Sequence, residues 1–91
     1  MSERLAIQAL MEGPRFGNEA LVLCVMAWHA SPEGLCSLKR PALSRLGRVS
    51  KNELPGVLLE LERGDWIRAA RFDALDRPST YMLNLRKLGA L

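Results

Sequence analysis

The chain reads as one domain that is mainly α with a small β-hairpin, an α+β fold. Three features of its 91 residues predict this. A capped amphipathic run spans Arg48–Gly64. A short helical segment and a glycine turn stand directly before it, and two short runs of strand periodicity follow it. A short helix, a turn and a second helix form the helix-turn-helix layout, and a hairpin placed directly after it forms a wing.

The central run opens with Ser50 and Glu53 at capping-box spacing, each able to satisfy a free backbone donor at the other. Leu54, Val57, Leu58 and Leu61 then recur at i, i+3, i+4, i+7, the spacing of one apolar helix face. Gly64 suits the helix end. Pro55 and Gly56 disturb the pattern. Within a regular helix capped at Ser50, proline costs on the order of 3 kcal/mol, because it lacks an N–H and presses on the carbonyl of Lys51. Glycine adds up to about 1 kcal/mol. Either the first turn is distorted or the helix proper begins near Pro55.

Taken from the start, Ser2–Met11 reads as a short helix capped by Ser2, with Leu5, Ala6, Ala9 and Leu10 along one side. Ile7 and Met11 widen its apolar surface, and so short a helix is marginal unless it packs on something. Residues 1–17 are therefore expected to form an N-terminal helix and linker that either covers its own domain or, the favoured reading, serves as a dimerisation arm using Leu5, Ile7, Leu10 and Met11. Residues 18–91 are expected to form the main domain. Gly13-Pro14-Arg15-Phe16-Gly17 breaks the chain, and Asn18 can cap the next helix. That helix, Ala20–His29, is apolar almost all round, which fits the centre of a core or a core plus an interface.

Ser31-Pro32-Glu33-Gly34 is a turn, and Leu35–Leu38 can form a very short strand. Pro41 suits a helix first turn. The segment Pro41–Leu46, with Leu43 and Leu46 at i, i+3, stops at Gly47. After Gly64 the period changes. Trp66–Phe72 and Ser79–Leu85 read as strands joined by a polar loop, with Tyr81, Leu83 and Leu85 on one face. The tail from Arg86 is read as frayed or as a short final turn.

Net charge is +3 but unevenly spread. Residues 1–34 carry two cations and four anions, a net of −2. Residues 35–91 carry eleven cations and six anions, a net of +5. That asymmetry suits a polyanionic partner for the second part, although a solvated face of mixed charge explains it equally well. Cys24 and Cys36 lack CxxC spacing and read as reduced, packed thiols. The single histidine, His29, reads as a helix-end residue. No metal-ligand cluster, phosphate loop or nucleophile–base pair is visible, so no catalytic residue, metal or cofactor is assigned and an enzyme is not expected. Without a signal-peptide pattern or a long apolar run, the expected location is the cytoplasm, away from membranes.

From about Leu21 to Leu85 the chain resembles the bacterial winged helix-turn-helix domains of small regulators and of plasmid and phage replication or partition proteins. Leu35-Cys36 matches the lead-in strand and Leu43-Ser44-Arg45-Leu46 the scaffold helix. Val49-Ser50 opens the recognition helix, and Leu58-Leu59-Glu60-Leu61-Glu62-Arg63-Gly64-Asp65-Trp66-Ile67 resembles the passage into the wing. Arg77-Pro78-Ser79-Thr80-Tyr81 resembles its returning strand. The resemblance implies a sequence-specific double-stranded DNA-binding homodimer, a transcriptional regulator or a replication or partition factor bound to the nucleoid.

In such domains the start of the recognition helix enters the major groove. Here it would offer Ser50, Lys51 and Asn52, of which Asn can pair with adenine and Lys with guanine. Lys39, Arg40 and Arg48 suit phosphates, and Arg71, Arg77 and Thr80 would act from the wing. Taken singly, Ser50 is accounted for by capping, and Lys51, Asn52, Arg71 and Arg77 by solvation. Glu53, Pro55 and Gly56 count against base reading and favour the alternative, a winged helix used for protein–protein contact.

Overall fold

The computed structural model describes residues 3–14 and 17–89. Ser2, Arg15, Phe16 and the last two residues of the tail lie outside them. Four helices and three strands follow in the order α1 (Glu3–Glu12), α2 (Gly17–Trp28), β1 (Leu35–Cys36), α3 (Arg40–Leu46), α4 (Leu54–Arg63), β2 (Ile67–Phe72) and β3 (Pro78–Leu83). The strands form one antiparallel sheet in the order β1-β3-β2, with Leu35 opposite Met82 and Ile67 opposite Leu83. The fold is α+β, as expected.

The core forms around α2. Val22, Leu23, Met26 and Ala27 are fully buried, and α1, α3 and α4 all touch this helix. Its apolar girth is thereby used, except at Leu21 and Trp28, which stay partly exposed. Helix α4 contributes Leu54, Val57, Leu58 and Leu61, the stripe that the spacing predicts. Each such side chain contributes roughly 1.5–3 kcal/mol on burial. The strands add Cys36, Ile67, Tyr81 and Leu83. Helix α1 adds Leu5 and Ala9, so Leu5 faces its own core and not outward as an arm residue would.

The tail is neither frayed nor peripheral as far as Gly89. The Leu88 amide donates to the Asn84 carbonyl at 3.1 Å, and the Leu88 side chain is fully buried. Lys87 places its ammonium 4.1 Å from the centre of the Trp66 ring and donates to the Gly64 carbonyl. Asn84 ties the same turn to Asp65 through a 2.9 Å bond to the Asp65 carbonyl.

Helices α3 and α4 end by one shared device. After Gly47, Arg48 takes the left-handed conformation (φ 56°), and the amides of Arg48 and Val49 return to the carbonyls of Arg45 and Ser44. After Gly64, Asp65 does the same (φ 62°), with the amides of Asp65 and Trp66 returning to Glu62 and Leu61. This is the Schellman arrangement, which closes the last free carbonyls of a helix. The glycines that the sequence marks as helix ends are therefore the caps, and the left-handed residue is the next one. Gly47 is small for another reason: a Cβ there would lie 2.9 Å from Val22 Cγ2 and 2.8 Å from the Leu43 carbonyl oxygen. Helices α2 and α3 cross too closely for a side chain. Helix α3 buries Leu43 and Ser44, while Leu46 is exposed. The Ser44 hydroxyl reaches forward and donates to the Val49 carbonyl, pinning the inter-helix turn.

Candidate nucleic-acid interface

The turn that enters α4 is built from Ser50 and Glu53. The Glu53 amide donates to Ser50 Oγ at 3.1 Å, and Ser50 Oγ in turn donates to Glu53 Oε1 at 2.8 Å. The first half of a capping box is thus present. The second half differs, since the carboxylate takes the serine hydroxyl and not its amide. Asn18 stands within α2, which already includes Gly17, and it does not act as the expected cap. Its side-chain amide reaches 3.5 Å to Glu53 Oε2.

The regular helix begins at Leu54, four residues beyond Ser50, with Pro55 in its first turn. The N–H that proline lacks would have bonded Lys51, which lies outside the helix, so the expected cost of proline is largely avoided. Lys51 and Asn52 occupy the preceding turn and are exposed. Beyond them, Pro55, Gly56, Leu59, Glu60 and Arg63 are exposed along α4. Glu60 and Arg63 are joined by a 2.9 Å ion pair.

A second group of predicted residues meets in a cleft of about 640 Å³ between the β1–α3 loop and the hairpin. Lys39, Arg40 and Arg77 line it, with Leu38, Pro41 and Pro78 as apolar wall. The guanidinium of Arg40 lies beside the Tyr81 hydroxyl; burial pushes that phenol up and the arginine opposes the shift.

The loop joining β2 to β3 is rigidly tied. Asp73 Oδ1 accepts the amides of Leu75 (2.9 Å) and Arg77 (3.0 Å), and Asp73 Oδ2 meets Arg77 Nε at 3.3 Å. Chiefly through the Arg77 amide, then the Leu75 amide and the arginine charge, the Asp73 carboxyl is held below the usual aspartate range. Arg77 is therefore exposed but ion-paired. Among the described residues, Lys39, Arg48, Lys51 and Arg71 are exposed and have no carboxylate within ion-pair distance.

Thr80 departs from its expected role. It is buried, with its hydroxyl 3.1 Å from that of Ser37. Cys36 pairs with Tyr81, so the residue after β1, Ser37, lies beside Thr80 and covers it. Pairing on the other side is irregular: Ala69 faces Tyr81 and Arg71 faces Thr80, so Ala70 is an extra residue on β2. A second irregularity leaves Ser79 unpaired between Thr80 and Pro78. Of the expected arm residues on α1, Ile7, Leu10 and Met11 are exposed while Leu5 is not.

The sequence reading passed over Leu59, the one leucine of α4 outside the apolar stripe, which is 45% exposed. Its off-stripe position was the available signal. Both cysteines are free thiols whose pKa values burial raises, in keeping with packed, unreactive groups. Among the described residues no cluster of potential metal ligands occurs, and no helix is long and apolar enough to cross a membrane. Compared with models of known protein families, with curated proteins and with solved structures, the chain matches none of them.

Proposed function

We propose that the chain is a winged helix-turn-helix protein that binds double-stranded DNA in a sequence-specific way. It would act as a transcriptional regulator or as a replication or partition factor of plasmid or phage type. The observation that carries this reading is the element order α2-β1-α3-α4-β2-β3 together with the sheet order β1-β3-β2. A short helix, a seven-residue connection (residues 47–53) pinned by the Ser44 hydroxyl, a longer helix and a hairpin then follow, an order that resembles the layout presenting one helix to a major groove and a hairpin beside it. The unpaired cations Lys39, Arg48, Lys51 and Arg71 support a polyanionic partner. Phosphate contacts from these residues, Arg40 and Arg77 supply affinity, and Ser50, Lys51 and Asn52 supply contacts at the helix entry.

The exposed run Ile7, Leu10 and Met11 on α1, at i, i+3, i+4, supports a homodimer that reads a two-fold symmetric site. The same run is the observation that favours the second reading, a winged helix that docks on another protein. Fluorescence anisotropy with fragmented genomic DNA, measured between about 50 and 200 mM salt, separates the two. Binding that weakens steeply with salt supports the first reading. Absence of binding at low salt, with stoichiometric capture of a protein partner, supports the second.

A further inference from the structure

Gly56 presents a puzzle within its own chain. It sits inside α4 with no positive φ, and a Cβ built on it would meet nothing within 4 Å. Glycine at an exposed helix position is unfavourable relative to alanine, since it loses more conformational freedom on folding. Gly47, by contrast, is required by the neighbouring helix. Among the described residues, none uses the space that Gly56 leaves open.

The residues around it define what can. Asn52, Pro55, Gly56, Leu59, Glu60 and Arg63 recur at i, i+3, i+4, i+7, i+8, i+11, one face of the helix and its entry turn, and all are exposed. Glu60 and Arg63 neutralise each other. The face therefore offers one side-chain amide at its start, a bare apolar centre at Pro55, Gly56 and Leu59, and no free guanidinium along its length. In a major groove an Asn amide matches the N6 and N7 of adenine, apolar surface matches the thymine methyl, and guanine is read chiefly by Arg or Lys. Lys51, four residues before Pro55, stands at the edge of this face in the turn ahead of the regular helix, where it suits a phosphate. The flanking unpaired cations supply the charge complementarity that a phosphate backbone requires.

Resting on the DNA-binding reading above, we infer that this face reads A·T base pairs, with Asn52 on adenine and Pro55 and Leu59 against thymine methyls. Gly56 lets the helix backbone approach the base edges. A Cβ at position 56 holds the helix off the groove. The glycine is thus kept for the partner at the expense of the fold, and its replacement separates stability from recognition.

The test is selection from a random duplex pool with the wild-type chain, followed by titration of the enriched duplex with uracil in place of thymine and with the Gly56→Ala variant. The inference expects A·T steps in the enriched site and a loss of about fourfold in affinity for each contacted methyl removed. It also expects Gly56→Ala to melt at or above the wild-type temperature yet to bind on the order of tenfold more weakly. Enrichment of G·C steps, binding without sequence preference, or a stabilised Gly56→Ala variant with undiminished affinity overturns the inference and leaves DNA binding standing. A folded wild-type chain that binds no duplex at low salt overturns both.

Discussion

The outer face of α4 and the cleft between the β1–α3 loop and the hairpin are opposites in chemistry. From Lys51 to Arg63 the chain carries three carboxylates (Glu53, Glu60, Glu62) against two cations. The cleft sets Lys39, Arg40 and Arg77 against the single carboxylate of Asp73. The first surface has shape and one discriminating amide but little attraction for a polyanion. The second has attraction and, on the proposed reading, meets phosphates and not base edges. On the proposed reading, affinity and selectivity are lodged in separate elements, and substitutions should affect one without the other.

The largest effect expected removes both. Leu61 lies on the inner side of α4 and is fully buried, so Leu61→Ala should cost about 2–5 kcal/mol in urea unfolding and abolish binding through loss of the fold. Replacing Lys39, Arg40 and Arg77 together by alanine should weaken binding to every duplex alike. It should flatten the salt dependence by about 0.9 for each phosphate contact removed, with the preferred sequence unchanged. A shift in sequence preference in that variant would break the division of labour. Thr80→Val tests the corrected position of Thr80. It removes a hydrogen bond to Ser37 and should lower stability by about 1 kcal/mol without changing DNA affinity; loss of affinity alone would return Thr80 to the interface.

Arg48→Gly should relieve a left-handed residue and raise stability by up to about 1 kcal/mol, while removing, on the proposed reading, one phosphate contact. A melting temperature below wild type would show that Arg48 holds the turn by other means. The smallest effect concerns pH. Because the folded-state pKa of Asp73 lies below its ordinary value, its contribution is complete above that ordinary value. It is lost as pH falls through the lowered one. Melting curves of wild type and Asp73→Asn should therefore differ at neutral pH and converge in acid. A constant difference across the range would remove Asp73 as the organiser of the hairpin loop.

Much of the fold was legible because period and burial agree. Val57, Leu58 and Leu61 repeat at helical spacing and all three are buried, and the strands fall within a residue or two of their expected limits. Legibility failed where local geometry departs from the ideal repeat. Thr80 is covered by Ser37 across the β1–β3 pairing, which no count along one strand reveals. In α3, two turns are too few to fix a stripe, and Ser44 is buried where its hydroxyl meets the Val49 carbonyl, while Leu46 is exposed. Leu88 looked like tail because one leucine carries no period at all, yet it is fully buried. Of the candidate interface, charge and turn residues could be listed from sequence. Their grouping could not, since Lys39 and Arg77 meet only after β1 has paired with β3.

That last pairing has a consequence for how the protein is made. Leu35 waits for Met82, and the core waits for Leu88. Residues up to the end of α4 hold the four helices and the turn between α3 and α4, but neither the sheet nor the cleft. On the proposed reading, that part carries the helix that reads bases but not the surface that attracts phosphates. Binding competence should then arrive in a single step, when β3 pairs and Leu88 docks.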